Sequence, residues 1–280
     1  MRGRVCAITG ATSGLGYETA LALAHRGATV ALLCRSEQRG AQARDRIAAQ
    51  TGNEKLHVVH CDHANLDTVR AAAAALLERF DALHVLVNNA GLMLGQRRIT
   101  VDDLEETFQV NHLSAFLLTD LLRERLIASA PARVVTVSSA AHRAGAMDFD
   151  DLQLVRLYDG WSAYARSKLA NVLFTYELAR RLQGSGVTAN TLHPGIVRSR
   201  FGHDNGLSTR VFMTLTQLPP LGTTPRRGAR TQVWLASAPE VAAVSGRYFV
   251  RCRARHSSRA SRDAGAQRRL WEASEALLGA

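Results

Sequence analysis

The sequence predicts an α/β protein built on a single, doubly wound, seven-stranded parallel sheet. Seven short runs of mostly apolar, often β-branched residues recur along the chain, and longer segments with helical periodicity separate them. Nearly continuous apolar runs are typical of parallel strands that are covered on both faces. Right-handed crossovers between such strands give the Rossmann architecture. The predicted strands are Val5–Ile8, Thr29–Cys34, Leu56–Cys61, Leu83–Val87, Arg133–Val137, Val187–Leu192 and Arg247–Val250.

The composition is that of a globular protein whose positive charge is carried almost entirely by arginine. The formal net charge is +11, and Lys55 and Lys168 are the only lysines among 35 basic residues. We predict that residues 1–250 form the main domain and residues 251–280 a basic tail with a short amphipathic helix. Nucleic-acid surfaces interleave aromatic with basic residues, whereas Trp271 is the only aromatic residue of the tail. We therefore expect a solvated basic tail and no nucleic-acid partner.

Membrane and metal roles have little support in the sequence. No window approaches the roughly 18 apolar residues of a membrane span, and Val5–Ile8 is too short for the core of a signal peptide. The four cysteines form no C-x-x-C motif, which disfavours a metal site. We expect no membrane span, no metal, reduced thiols and a cytoplasmic location.

A glycine-rich turn follows the first strand and opens the first predicted helix. Residues 9–16 read TGATSGLG. Backbone N–H groups at such a helix start can bind a pyrophosphate, and glycines let the phosphates approach closely. The spacing G-x-x-x-G-x-G differs from the usual G-x-G-x-x-G, and glycines also occur in plain turns. The residues expected to bind a dinucleotide here are Gly10, Thr12, Ser13, Gly14, Leu15 and Gly16.

The end of the second strand bears on the choice of dinucleotide. An acidic residue there would favour the free ribose of NAD, whereas arginine suits the 2′-phosphate of NADP. This chain has Arg35 and Ser36 at the position. We therefore expect NADP(H) to be preferred, with NAD(H) as the alternative if Arg35 is an ordinary surface residue.

Tyr164 and Lys168 form a Tyr-x-x-x-Lys pair at the start of a predicted helix. Chance predicts only about 0.04 such pairs in a chain of this composition. Residues four apart share one helix face, so the ammonium group should stabilise a phenolate and lower the pKa of Tyr164 from about 10. Such a tyrosine can exchange a proton with the oxygen of an alcohol or carbonyl.

These motifs resemble the short-chain dehydrogenase/reductase family over essentially the whole chain. The turn matches the family's T-G-x-x-x-G-x-G pattern, residues 88–91 its N-N-A-G, and the Tyr-x-x-x-Lys pair its active site. Residues 194–199 (PGIVRS) resemble its P-G-x-V-x-T loop, with Ser199 in place of threonine. The resemblance implies hydride transfer between a nicotinamide cofactor and an alcohol or carbonyl.

The resemblance also implies roles for individual residues. Tyr164 would exchange the proton, Lys168 would also bind the nicotinamide ribose, and Ser139 would hold the substrate oxygen. Asn111 would anchor a water that relays protons. Besides the turn, Arg35, Ser36, Tyr164 and Lys168, the implied cofactor contacts are Asp62, His63, Asn89, Ala90, Gly91, Pro194, Val197 and Ser199.

Three further segments resemble the retinol dehydrogenase-like branch of this family. They are the insert between Ser139 and Tyr164, residues 168–174 and residues 270–275. Residues 200–224 are predicted to form an apolar lid over the substrate, since five apolar residues there follow helical spacing. The alternative is a helix packed on the core. We expect a lipophilic alcohol, aldehyde or ketone as substrate, and retinol itself is not assigned.

Two other functions remain open at this point. A non-catalytic, NAD(P)-binding regulatory protein would need only the cofactor half of these motifs, so the complete catalytic set argues against it. A nucleic-acid-binding protein has only the net charge in its favour. A homodimer through the predicted helices Leu113–Leu126 and Tyr164–Leu182 is expected by analogy with the family.

Overall fold

The computed structural model describes residues 1–197 and 223–279. Its strands are β1 (Val5–Thr9), β2 (Thr29–Cys34), β3 (Leu56–His60), β4 (Val85–Asn88), β5 (Ala132–Val137), β6 (Val187–His193), β7 (Tyr248–Val250) and β8 (Arg253–Arg255). They form one sheet in the order β3-β2-β1-β4-β5-β6-β7-β8. The first seven strands pair in parallel, which confirms the predicted doubly wound α/β fold.

The eighth strand corrects the predicted count of seven. β8 pairs antiparallel with β7, and Val250 lies opposite Arg253. The two residues between them, Arg251 and Cys252, have φ of 51° and 58°. Two positive φ values in a two-residue loop are typical of a type I′ hairpin turn. The strand was missed because its arginines are exposed, so the sequence shows no apolar alternation there.

Ten α-helices accompany the sheet in the described part of the chain. They are α1 (Gly14–His25), α2 (Glu37–Thr51), α3 (Leu66–Arg79), α4 (Glu106–Phe108), α5 (Ser114–Leu121), α6 (Arg123–Ala128), α7 (Gly160–Arg181), α8 (Pro225–Gly228), α9 (Arg230–Ser237) and α10 (Ala264–Leu278). Side-chain caps begin several of them: Ser36 caps α2, Asp159 caps α7 and Asp263 caps α10. None of the described helices is long and apolar enough to cross a membrane.

The segment predicted as one helix, Leu113–Leu126, is divided in the structure. A π-helical turn, Gln109–Leu113, joins α4 to α5, and α6 follows after Leu122. The other long helix, α7, begins four residues before Tyr164. Tyr164 therefore lies in the second turn of a helix rather than at its start.

Two apolar clusters cover the two faces of the sheet. One contains residues of α3, α5, α7 and α10, and the other contains residues of α1, α2 and α9. α10 belongs to the first cluster because Leu270 and Trp271 are 1% and 2% exposed. Part of the predicted basic tail is thus packed on the protein body. Most of the predicted lid, residues 200–222, lies outside the described residues.

Candidate active site

The glycine turn places an open helix start at the carboxyl end of β1. Gly10 and Gly14 have φ of 65° and 56°, a region in which glycine is favoured. Ser13, at the N-cap of α1, makes no side-chain cap bond, and the first turn of α1 carries no acidic residue. The N–H groups of the first turn of α1 are therefore available to an anion.

Gly16 is needed for close packing rather than for its backbone conformation. A Cβ there would lie 2.3 Å from the carbonyl oxygen of Gly10 and 2.6 Å from Nδ2 of Asn89. Asn89 in turn donates from Nδ2 to the carbonyl of Thr9 at 2.8 Å, and its N–H donates to Thr9 Oγ1 at 2.8 Å. These bonds join the carboxyl ends of β1 and β4, so the turn and the N-N-A-G segment form one rigid unit.

A cleft of about 460 Å³ lies along the carboxyl edge of the sheet. It brings together most of the predicted cofactor contacts: Gly10, Thr12, Ser13, Gly14, Leu15, Arg35, Ser36, Asp62, His63, Asn89, Ala90, Gly91 and Val197. Gly16, Tyr164, Lys168 and Pro194 are not among its lining residues. Ser199 lies outside the described residues.

Arg39 is a lining residue that the sequence analysis missed. It is the third residue of α2, and its N–H donates to the capping hydroxyl of Ser36 at 3.3 Å. The available signal was Ser36 as an N-cap, since a capping side chain bonds the N–H of the second or third helical residue. Glu37, the acidic residue of this turn, does not line the cleft. Two guanidinium groups and a hydroxyl thus occupy the end of the cleft next to β2.

His63 is buried and neutral rather than an exposed ligand. Its Nδ1 lies 2.9 Å from Ser114 Oγ, and burial lowers its pKa to about 4. The neighbouring Asp62 accepts a hydrogen bond from the N–H of Ala64 at 3.1 Å. The pair therefore holds a tight turn at the edge of the cleft.

Tyr164 and Ser139 meet beyond the other end of the cleft. Their side chains are hydrogen-bonded, and burial raises the pKa of Tyr164 to about 12 against the effect of that bond. This direction is opposite to the one expected from Lys168. The physical reason is that desolvation of the phenolate outweighs the charge of an ammonium whose Nζ lies 5.6 Å from the ring centroid.

Lys168 is 3% exposed. Its Nζ lies 3.4 Å from the carbonyl oxygen of Val137, and burial lowers its pKa to about 8. Ser138 fixes the same turn of α7 by donating to the carbonyl of Lys168 at 2.7 Å. A Cβ at Gly91 would lie 3.1 Å from this Nζ. The ammonium group therefore lies directly beside the cofactor cleft.

Asn111 lies in the π-helical turn and is 1% exposed. Its Oδ1 accepts from the N–H of Leu92 at 2.7 Å, and its Nδ2 donates to the carbonyl of Leu92 and to Ser167 Oγ. Its amide therefore links the N-N-A-G segment to α7. Asn111 therefore positions the loop beside the cofactor cleft relative to α7, the helix that carries Tyr164 and Lys168.

These residues fit a nicotinamide dinucleotide. The helix start of α1 offers N–H donors for a pyrophosphate, and cations at the β2 end suit a further phosphate. The cleft ends beside Lys168, whose ammonium can bond ribose hydroxyls. The hydrogen-bonded hydroxyl groups of Ser139 and Tyr164 can together bond one alcohol or carbonyl oxygen.

Comparison with known proteins agrees with this geometry. The family model for short chain dehydrogenases matches residues 4–207. Human retinol dehydrogenase 13 is 43% identical over 99% of this chain and 85% of its own length, and human retinol dehydrogenase 12 is 44% identical over 99% and 87%. The crystal structure of an uncharacterized protein from Mycobacterium paratuberculosis superposes with a TM-score of 0.80 at 36% identity, covering 99% of this chain and 94% of that one.

The family model covers most of the chain, and the two relatives are more than 40% identical to it. Both findings agree with the cleft and the hydroxyl pair described above. The resemblance to the retinol dehydrogenase-like branch is thereby confirmed. This chain belongs to the short-chain dehydrogenase/reductase family, in its retinol dehydrogenase-like branch, and is an oxidoreductase that acts on CH–OH groups.

Proposed function

We propose that this protein uses NADP(H) to interconvert a lipophilic alcohol and its aldehyde or ketone, with Tyr164 as the acid/base. The observation that carries the proposal is one continuous arrangement. Arg35 and Arg39 lie at one end of the cleft, and Lys168 lies beside the other, next to the Ser139–Tyr164 hydroxyl pair.

The proton chemistry follows from the pKa values. With its pKa raised to about 12, Tyr164 is a neutral phenol near pH 7 and can donate a proton to a carbonyl oxygen. A nicotinamide cofactor held in the cleft would supply or accept the hydride, and its oxidised form would add a positive charge that favours the phenolate. Ser139 donates to the same substrate oxygen and stabilises its developing charge. In the direction of oxidation, Tyr164 must first lose its proton, so this direction should become faster as the pH rises.

The preference for NADP(H) is supported by the charges at the β2 end of the cleft. A 2′-phosphate carries up to two negative charges, and two arginines line this end. The described acidic residues that line the cleft are Asp62 and Glu106, and Glu106 is paired with Arg98. Guanidinium groups bind phosphate oxygens through paired N–H donors. The Ser36 hydroxyl can add a third donor.

A lipophilic substrate is supported by Trp161. This side chain is 48% exposed although it is large and apolar, and its ring centroid lies 6.2 Å from that of Tyr164. Val155 and Leu157, in the segment that leads into α7, are also exposed. Exposed apolar side chains beside a reactive group indicate a surface that an apolar ligand covers.

The reaction is tested by NADPH oxidation with aldehydes and ketones graded in chain length and polarity. We expect turnover to increase with chain length. Tyr164→Phe should reduce kcat by at least ~10², as for loss of a general acid, while NADPH affinity stays near that of the wild type. A Tyr164→Phe variant with unchanged kcat would remove this tyrosine from the mechanism. Binding of NADPH without turnover of any carbonyl would favour a regulatory protein.

The cofactor preference is tested separately by dissociation constants for NADPH and NADH. We expect NADPH to bind at least ~10-fold more tightly, which corresponds to about 1.4 kcal/mol. Arg35→Asp should abolish or invert this ratio, because it removes a phosphate partner and offers an acceptor to the 2′-hydroxyl. Arg44→Asp, on α2 and outside the cleft, is the control. Equal affinities in the wild type would assign the enzyme to NAD(H).

The homodimer and the cytoplasmic location stay predictions. α10 covers part of α5 and α7, since Trp271 packs against Phe116 and Phe174 with ring centroids 4.6 Å and 5.9 Å apart. A dimer through these two helices would have to use the surface that α10 leaves uncovered. All four cysteines are unpaired, which fits a reducing compartment.

A further inference from the structure

A second cleft, of about 850 Å³, lies near the β7–β8 edge of the sheet. Its walls come from the end of α7, the start of β6, the hairpin β7–β8 and the turn before α10. In the described part of the chain, it shares no lining residue with the cofactor cleft. The two clefts are therefore separate sites.

The second cleft carries a concentrated positive charge. Four arginines line it, and none of its described lining residues is acidic; the arginines are Arg180, Arg247, Arg255 and Arg262. Arg180 is paired with Glu177, which also pairs with Arg181. The other three form no ion pair with a carboxylate of residues 1–197 or 223–279. Like charges on one concave surface repel each other and raise the local concentration of anions.

Hydroxyl groups lie beneath these arginines. Tyr176 Oη is 2.8 Å from Ser257 Oγ, and Ser261 Oγ is 2.8 Å from the same atom. Ser257 is 3% exposed, so this network is recessed. Burial raises the pKa of Tyr176, and the positive charges of Arg262 and Arg247 oppose that rise. The phenol stays neutral near pH 7 and can act as a donor.

We propose that this cleft binds a small, soluble, multiply charged phosphate anion, of which inorganic pyrophosphate is the simplest example. Guanidinium groups of Arg247, Arg255 and Arg262 would hold the phosphate oxygens through paired N–H donors. Tyr176 would donate a further hydrogen bond from the recessed floor. The three arginines are exposed, so a bilayer surface or a nucleic-acid duplex can also contact them. Only a small anion can in addition reach the recessed hydroxyl groups, so the shape favours a small free anion.

Calorimetric titration of pyrophosphate into the full chain tests this, with the cofactor cleft first saturated with NADP⁺. We expect one binding event per chain that remains under saturation. Arg247→Gln combined with Arg262→Gln should weaken it by at least ~10-fold. The matched control is Arg253→Gln combined with Arg268→Gln, which removes the same charge from the same part of the chain but outside the cleft. The control should retain the affinity of the wild type.

Three outcomes would overturn the proposal. The first is loss of pyrophosphate binding on saturation with NADP⁺, which would assign it to the cofactor cleft. The second is an equal loss of affinity in the control, which would mean non-specific attraction by net charge. The third is binding to phosphatidylglycerol vesicles or to duplex DNA without binding of pyrophosphate, which would assign the arginines to a surface role. Thermal unfolding of both double variants checks that they remain folded.

Discussion

Lys168 is a nearly inaccessible cation in a protein whose other lysine, Lys55, is exposed. Burial lowers its pKa from the ordinary 10.5 to about 8. Such a shift means that the buried charge lowers the free energy of unfolding by about 3 kcal/mol, at ~1.36 kcal/mol per pKa unit. The folded state binds fewer protons than the unfolded state between these two values. The buried charge therefore destabilises the folded state by this full amount below pH 8, and the effect disappears as the pH rises towards 10.5.

Lys168→Met should consequently stabilise the protein while it abolishes turnover. We expect the free energy of unfolding to rise by about 3 kcal/mol at pH 6.5 and by only about 1 kcal/mol at pH 9.5. Urea unfolding at the two pH values measures this difference. Lys55→Met should change stability little at either pH. A stabilisation at position 168 that does not depend on pH would contradict the assigned cost of the buried charge.

At the residue scale, the sequence was informative where the chemistry demands a rare residue type. One of two lysines, four residues after a tyrosine, identified the pair Tyr164–Lys168. The direction of the pKa shift of Tyr164 could not be predicted, because desolvation depends on how closely the neighbours pack. Arg39 was missed among many arginines. The contacts of Asn111 with Leu92 depend on the π-helical turn, which no local pattern indicates.

At the element scale, the seven parallel strands were predictable because burial on both faces demands apolar runs. β8 was not predictable, since its three residues are exposed and it joins the sheet by backbone pairing with β7. Its hairpin turn also lacks the usual Asn-Gly signal. Arg251 and Cys252 both adopt positive φ there, which costs a residue with a Cβ about 1–2 kcal/mol.

Cys252→Gly should therefore stabilise the hairpin. Relief of the positive φ outweighs the conformational entropy lost by glycine, ~0.5–1 kcal/mol, so we expect a net gain of up to about 1 kcal/mol. The thiol contributes little, because its sulfur lies 3.8 Å from its acceptors. Cys252→Ala keeps the Cβ and should give no gain. Urea unfolding of both variants decides the matter, and a stabilised alanine variant would show that the thiol, not the backbone, is responsible.

At the scale of the whole molecule, α10 ties the end of the chain to the active-site helices. The Trp271 ring packs on Phe116 and Phe174, and the Arg181 guanidinium lies 4.2 Å from its centroid. Ser274 Oγ lies 2.9 Å from Nε2 of His112, next to Asn111. The helical periodicity of this segment was visible in the sequence. Its docking position was not, because the partners lie at least 90 residues away.

Trp271→Ala should therefore reduce stability much more than it affects cofactor binding. Loss of a buried tryptophan costs about 3–5 kcal/mol, whereas the dissociation constant for NADPH should change less than about twofold, since α10 does not line the cofactor cleft. Trp161→Ala is the matched control, because Trp161 is 48% exposed. It should cost at most about 0.5 kcal/mol but raise KM for long-chain carbonyls. Similar stabilities of the two variants would mean that α10 is not part of the core.

The place of α10 also bears on the order in which the protein can mature. During synthesis, residues 264–278 leave the ribosome after every strand and helix on which they pack. Until then, Phe116, Phe174 and the buried face of α7 have no cover from Trp271. A nascent or prematurely terminated chain would hence expose an aromatic surface to which chaperones and proteases bind. The same helix that completes the core thus makes synthesis through residue 278 a condition for escaping quality control.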